Sequence, residues 1–489
     1  MSARADRILD ADPARTLLVL AGAALAYALA QTMIVPAMPA IQRQLGGDAA
    51  DTTWLLTAFL LTSSVATPIV GRLGDMYGKE RWLLICLGLF GGGSVISALA
   101  DSLVVMIAGR AIAGLGGGIF PLAIGIIRDE FPRQKVATGI GTISAMFGIG
   151  GGVGLVVAGL LVDGVGIEWI FWLSAGASAL AAWATWRWVP ESPVRAEARI
   201  DWLGGLLLSG ALVTLLLGVS EGNRWGWLSA GVLGLFAASL VLTVAWTRWE
   251  WRVPDPLVDL RLMRRRAVLT TNLVTFAIGF AMFGSFILIP QLVQTPPEAG
   301  YGFGASVTAS GLFLLPSSVI MLIGAPMSGR LGNRYGSKLP LGLGAAFAGA
   351  GYFWLAALHG AKIDIYVGSL LLGLGIALAF AAASNLIVEA VPQDVTGVAS
   401  AINAVMRTIG GAIGAQISAA IVSADVVLGG FPAESGFALA FALSGAGAMV
   451  ALAVTFAIPA RERAAAASAA PAGPPASPVE PVEAAEARV

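Results

Sequence analysis

Apolar windows of about 20 residues, long enough to cross a bilayer as helices, follow one another along almost the whole chain. They fall near 17–38, 52–71, 82–100, 103–126, 136–162 and 168–189, then 202–220 and 227–247, then 267–294, 307–330, 339–358, 364–390, 397–423 and 436–458. Inside lipid there is no water to satisfy backbone amides, so segments of this kind must be helical. Of the 489 residues, 57% are hydrophobic and only 12% charged, against about 25% charged in a soluble domain. A water-soluble fold is excluded, and the expectation is an all-α integral membrane protein with 14 transmembrane helices. The first window runs on through Pro36 to Met38, longer than the core of a cleaved signal peptide, so it reads as a retained span despite the small residues of Ala26-Tyr27-Ala28.

Charge location gives the orientation, because Lys and Arg stay on the cytoplasmic side. Alternating the spans puts 24 of the 29 basic residues on the side of the amino terminus, among them Arg72, Lys79, Arg128, Arg330, Arg334 and the run Arg264-Arg265-Arg266. Only Arg43, Arg224 and Lys362 fall opposite, while Arg110 and Arg407 lie inside spans. A missed or invented span would scramble this bias, so both termini are expected in the cytoplasm of a cell with this protein in its inner membrane. Acidic and basic residues balance at 29 each, which gives no sign of a nucleic-acid partner. One cysteine, Cys86, and one histidine, His359, leave no spacing for a metal site.

An internal repeat organises the spans. Gly71-Arg72-Leu73-Gly74-Asp75-Met76-Tyr77-Gly78-Lys79, after the second, matches Gly329-Arg330-Leu331-Gly332-Asn333-Arg334-Tyr335-Gly336-Ser337, after the tenth, at six of nine positions. Gly114-Leu115-Gly116 and Gly373-Leu374-Gly375, and then Gly151-Gly152 and Gly410-Gly411, repeat the offset of about 259 residues. The plan is two six-helix bundles separated by an inserted pair, 6 + 2 + 6. Its expected boundaries are a cytoplasmic segment 1–15, a first bundle 16–195, two inserted helices with linkers 196–262, a second bundle 263–460 and an Ala/Pro/Glu-rich disordered tail 461–489. Parallel repeats of this kind are a transporter design, with the substrate site between the halves at the membrane midplane.

On these residues the chain resembles the major facilitator superfamily, and its inserted pair resembles the 14-helix drug:proton antiporter subfamily. Gly71 to Arg81 is similar to that superfamily's loop signature, which implies a cytoplasmic conformational latch built from Gly71, Asp75, Gly78, Lys79 and Arg81. The glycines are read as permitting a tight connection, and Asp75 as capping exposed amides or pairing with a cation. Arg110 occupies the arginine of the fourth-helix signature, although Ala113 replaces its Gln. An ionised side chain at membrane depth is a functional hypothesis by default, and Arg407 invites the same argument. The helix-packing glycines Gly148, Gly152, Gly154 and Gly159 resemble the antiporter motif, without its usual Gly-Pro step; close packing in lipid explains the same glycines. Trp188-Val189-Pro190-Glu191-Ser192 resembles the ending of the family's first half. The subfamily's first-helix Asp is replaced by Ala30.

The resemblance implies proton-coupled efflux, with a proton gradient and no cofactor, yet no carboxylate falls mid-span, and the coupling candidates are Asp75, Asp163 and Glu221 near span ends. Aromatic, Met and amide side chains suit variable amphipathic ligands, and the expected cavity lining is Tyr27, Gln31, Trp54, Met146, Phe147, Phe276, Phe280, Phe283, Gln291, Asn385, Asn403 and Met406. Without a buried acid, neutral, weakly polar or anionic substrates fit better than strong cations. The expected partners are a lipophilic small molecule and membrane lipid, with the chain working as a monomer. A facilitator or importer on the same fold, and a non-transporting sensor, remain open. ATP-driven pumping is disfavoured because Gly74 to Lys79 is one residue short of the phosphate-loop spacing, and no cluster of acids, His and Cys at depth points to an enzyme. In a Cys86→Ser background, Arg128→Cys and Arg330→Cys are expected to react with an impermeant maleimide from the same membrane face; reaction from opposite faces would dissolve the two-bundle plan.

Overall fold

Several helices start where a short polar side chain takes up amides that the first turn cannot satisfy itself. Asp12 accepts from Ala14 N at 3.0 Å just before Pro13, Asp201 accepts from Gly204 N at 2.8 Å, and Ser102, Ser229 and Ser306 do the same for their helices. The computed structural model describes residues 12–46, 49–192, 200–424 and 431–458; within these, the side chains of Asp163 and of residues 283–287 are among the few not described. The expected tail and most of the expected amino-terminal segment lie outside the described residues, as do 193–199 of the linker after the first six spans.

The described chain is all helical: α1 (Pro13–Thr32), α2 (Ile34–Leu45), α3 (Ala49–Tyr77), α4 (Lys79–Ala98), α5 (Leu103–Gly114), α6 (Ile119–Glu130), α7 (Arg133–Gly164), α8 (Glu168–Trp188), α9 (Trp202–Trp225), α10 (Ala230–Glu250), the one-turn α11 (Leu260–Met263), α12 (Arg266–Gln294), α13 (Val307–Tyr335), α14 (Lys338–Ala357), α15 (Lys362–Ala390), α16 (Thr396–Ala424) and α17 (Glu434–Ala457). A 3₁₀ turn, Leu115–Gly118, joins α5 to α6 in one span. Among the described residues, 12 helical segments are long and apolar enough to cross a membrane. The two remaining expected windows fall on α8, which carries Trp169, Trp172, Trp183, Trp186 and Trp188, and on α12, whose apolar part is described over Arg266–Met282.

The repeated motif is not a loop. Helix α3 runs on to Tyr77 and α13 to Tyr335, so Gly71 and Gly74, like Gly329 and Gly332, are helical residues. The chain turns at single glycines, Gly78 at φ 115° and Gly336 at φ 88°, a backbone region that side-chain-bearing residues avoid. The connection needs one glycine; the others serve contact.

Helix limits repeat as the motifs do: α4 and α14 both have 20 residues and both begin at Lys, and α3 and α13 both have 29. Neighbours repeat too. Among the helices before α9, α1 packs on α7 and α8, α4 on α5 and α8, and α3 on α5; among those after α11, α12 packs on α16 and α17, α14 on α15 and α17, and α13 on α15. Across the two sets, α7 lies along α13 and α3 meets α16, while α9 of the inserted pair packs on both α3 and α16. These contacts depend on small residues: a Cβ at Gly414 would sit 2.0 Å from Phe280 O, whereas one at Gly22 would meet nothing within 4 Å. Gly414→Leu is therefore expected to lower the melting temperature of the detergent-purified protein by several degrees, since overpacking costs about 1–3 kcal/mol, and Gly22→Leu is not. Equal melting points for the two variants would show that the α12/α16 contact is not tight.

Candidate gate and substrate pathway

Helix α3 ends where α16 begins, at the arginine-rich end of the bundle, and the first amides of α16 have no partner within their own helix. The Asp75 carboxylate supplies one from across the interface: Oδ1 accepts from Gly397 N at 3.1 Å and Oδ2 from Val398 N at 3.0 Å. One turn on, Lys79 Nζ lies 3.2 Å from Asp75 Oδ1 and 2.8 Å from Asp129 Oδ2 of α6, all three side chains having no exposure. A buried charge needs such compensation. Gly71 makes the approach possible, because a Cβ there would lie 2.8 Å from Gly397 O. Beside it Arg128 donates to Val391 O at 2.6 Å, to Pro392 O at 3.2 Å and to Thr396 Oγ1. Asn333 Nδ2 donates to Gln134 O at 2.9 Å and Asn385 Nδ2 to Ala137 O at 3.3 Å. The arginine-rich end is thus closed by contacts between the helices before α9 and those after α11. Arg81 pairs with Glu191 at 3.4 Å, and Glu191 sits against Gly78, filling the space a side chain would need.

Away from that end the two seams differ. Along α7 and α13 the contact is continuous: Cβ atoms added at Gly148, Gly152 and Gly159 would fall 1.8 Å from Met321 Cε, 1.8 Å from Ser318 Oγ and 2.4 Å from Thr308 Oγ1. Gly154 instead faces α1, 2.2 Å from Thr32 Oγ1. Between α3 and α16 a cavity of about 180 Å³ opens, reaching from Phe147 and Thr408 outward past Leu60, Gly411 and Gln416. Helix α9 forms its side wall: Thr57 and Ser220 share a hydrogen bond of 3.2 Å, and Leu208, Leu212 and Leu216 pack with Ile402, Val405 and Ile409 of α16. Among the described residues, none of those lining the cavity is charged.

Two arginines lie at depth. Arg110 is 2% exposed; its Nε donates to Leu55 O at 3.1 Å, Nη1 to Ala30 O at 3.3 Å, and the guanidinium sits 4.1 Å from the Phe59 ring centroid. Backbone carbonyls and a π-face thus take the place of a carboxylate. Arg407 lies against both Phe147 and Phe380, 4.8 and 5.0 Å from their ring centroids, at the inner end of the pathway.

The sequence profile of the Major Facilitator Superfamily matches residues 20–415. The chain belongs to the Major Facilitator Superfamily. It is 30% identical over 420 residues to the tetracenomycin C resistance and export protein of Streptomyces glaucescens, covering 85% of this chain and 77% of that one. It is 28% identical over 401 residues, 81% and 73% of the two chains, to the multidrug transporter protein MdtP of Bacillus subtilis. The crystal structure of the human organic anion transporter MFSD10 superposes with a TM-score of 0.66 over 91% of this chain and 99% of that one, at 15% identity, and shares the fold. This superfamily member is a multi-pass membrane transporter and not an enzyme.

In this superfamily member Tyr27, Gln31 and Phe147 line the pathway, Tyr27 through a 2.8 Å hydrogen bond to Ser63, and Asn403 lines its inner end while donating to Asn272 and Thr275, both at 2.9 Å. Other expected lining residues are placed elsewhere. Met146 is in the core, Met406 and Phe276 pack in the α9/α16 cluster, Phe280 packs against Gly414 and Gly447, Asn385 ties α15 to α7, Gln291 is exposed, and Trp54 stands outside the lining. The Phe283 side chain lies outside those described. Helical phase decides these placements, and composition alone does not reveal it. The sequence placed Arg128 only by its membrane face and passed over Asp129; the signal was the Arg128-Asp129-Glu130 run at a helix end. Of the acids considered for coupling, Glu221 is buried with Arg224 at 3.7 Å, and the Asp163 side chain is not described. In a Cys86→Ser, Val398→Cys background, Asp75→Asn is expected to raise labelling from the arginine-rich side about tenfold, an equilibrium shift of about 1.4 kcal/mol. Unchanged labelling would show that the carboxylate does not hold this end shut.

Proposed function

We propose that the chain is a secondary-active exporter of lipophilic small molecules, working by alternating access in the cell membrane. The observation that carries the reading is the uncharged cavity between α3 and α16, shut at the arginine-rich end and walled by α9. In this reading the chain crosses the membrane fourteen times with both termini cytoplasmic, following the positive-inside rule. The bundles 16–195 and 263–460 rock about the α7/α13 seam, and the cavity is the outward-facing form of the site. The relatives' names, an export protein and a multidrug transporter, support efflux. The chain acts alone on its small-molecule substrate.

The proposed energy source is the proton gradient, and the proposed proton carrier is Asp75. Protonation removes the charge that holds the Gly397 and Val398 amides and Lys79, so it loosens the arginine-rich end and favours the inward-facing form. A facilitator is the second reading, favoured by one observation, that no carboxylate lies among the described residues lining the cavity. Proteoliposomes of the full chain, assayed with a panel of radiolabelled lipophilic compounds with and without an imposed pH gradient, separate the two. Substrate accumulation is expected only with the gradient, and lost in Asp75→Asn. Equilibration that ignores the gradient would replace the antiporter by the facilitator.

A further inference from the structure

We propose that Arg407 is the anchor for an anionic group, so that the transported molecules are amphipathic anions: a carboxylate, sulfonate or phenolate on an apolar body. The inference rests on the export reading above and specifies the chemistry of its site. Arg407 stands on α16, eleven residues past the helix start, which is about 16 Å into the membrane at 1.5 Å per residue. Its guanidinium is held by two rings, Phe147 from α7 and Phe380 from α15, one from the helices before α9 and one from those after α11.

What distinguishes it is that none of its donors has a protein acceptor among the described residues, whereas Arg110 lacks one only at Nη2. Among the described residues Arg407 forms those ring contacts but no hydrogen bond and no ion pair. Arg110 and Arg128, by contrast, donate to backbone carbonyls. A guanidinium carries five donors in a planar fork that matches a carboxylate or sulfonate with two parallel bonds. Ring faces stabilise its charge without using those donors. One helical face carries more: Ser400, two turns earlier on α16, lines the same inner end and has a buried hydroxyl without a partner among the described residues.

The apolar part of the ligand is placed by the same residues. Phe147 borders both the Arg407 end and the larger cavity, and that cavity continues along Leu60, Leu155 and Leu216. An anion at Arg407 therefore has its hydrocarbon body in the uncharged chamber. A cation of the same shape would meet a fixed positive charge with no lining carboxylate among the described residues to offset it.

The test uses three probes with one ring system and different charge: naphthoate, naphthamide and naphthylmethylammonium. Binding is measured on the full chain in phosphatidylcholine nanodiscs, where no anionic lipid headgroup competes, and transport in proteoliposomes of the same lipid. Naphthoate is expected to bind about tenfold more tightly than the amide, and the ammonium more weakly than either. Arg407→Gln should bring naphthoate to the level of the amide and leave the amide unchanged, with Arg407→Lys recovering part of the difference. Equal binding of acid and amide to the unaltered protein overturns the proposal, as does an Arg407→Gln variant that weakens both alike. If that variant does not accumulate, the three-probe series on the unaltered chain decides. Arg407-dependent naphthoate binding without transport would sustain the anion site and sink the export reading; transport of the amide with no naphthoate binding would do the reverse.

Discussion

A helix that begins inside a membrane protein has amides in its first turn that neither its own carbonyls nor water satisfy. In α16 the acceptor is the Asp75 carboxylate, brought from α3 more than three hundred residues earlier in the chain. Much of the local sequence follows from that one contact. The carboxylate needs a cation, and Lys79 is one turn away; Lys79 in turn is shared with Asp129. The helices must come within van der Waals contact for the hydrogen bonds to form, and Gly71 and Gly397 meet there. The charge that makes the contact strong also makes it reversible by a proton, which a capping Ser or Thr would not be.

The repeat would make the two inter-bundle seams alike, and one substitution helps set them apart. The counterpart of Asp75 is Asn333, whose amide donates to the Gln134 carbonyl and so contributes no charge. The α7/α13 seam is closed along its length by glycines on one helix and Met, Ser and Thr side chains on the other. The α3/α16 seam is gripped at one end by the carboxylate and parts beyond it, with α9 filling the side. An evenly packed seam has no preferred place to open, whereas one fastened at a single end does. The cavity accordingly lies at α3/α16, and the inserted pair supplies a wall that twelve helices would leave to lipid.

The helical character of the chain and its succession of long apolar segments were legible because the bilayer imposes them, and apolar length records that constraint directly. The motif glycines were legible as a repeat but not in role: Gly71 and Gly74 read as turn formers, while the turn requires only Gly78 and the other two allow approach. Sequence identifies a glycine and not what faces it. The cavity was the least legible part. Phe147 and Met146 are neighbours in sequence with the same apolar character, yet the 100° step between consecutive helical residues turns one to the pathway and the other to the core. Gln291 was singled out as polar, and helical phase turns it outward while Leu288, Ile289, Leu292 and Val293 on either side of it are buried.

The missing first-helix acid and the two arginines at depth belong to one electrostatic arrangement. Where the family resemblance leads one to expect a carboxylate, Ala30 offers only its carbonyl, and Arg110 uses it. The guanidinium is thereby partly satisfied, with Nη2 left without an acceptor among the described residues, and it is not neutralised, so the first bundle keeps a fixed positive charge near the pathway. Arg407 adds a second, on the other bundle, cushioned by aromatic rings. A pathway of this sign selects against cations before any shape complementarity acts. It also changes the energetics of export, because moving one charge through 100 mV is worth about 2.3 kcal/mol. An anion leaving a cell whose interior is negative moves down that potential, while a cation would have to be driven against it. If the cargo is anionic, a proton gradient coupled through the gate as proposed would need to supply only the part of the work that the membrane potential does not. A pathway with no lining acid among the described residues is consistent with that lighter demand.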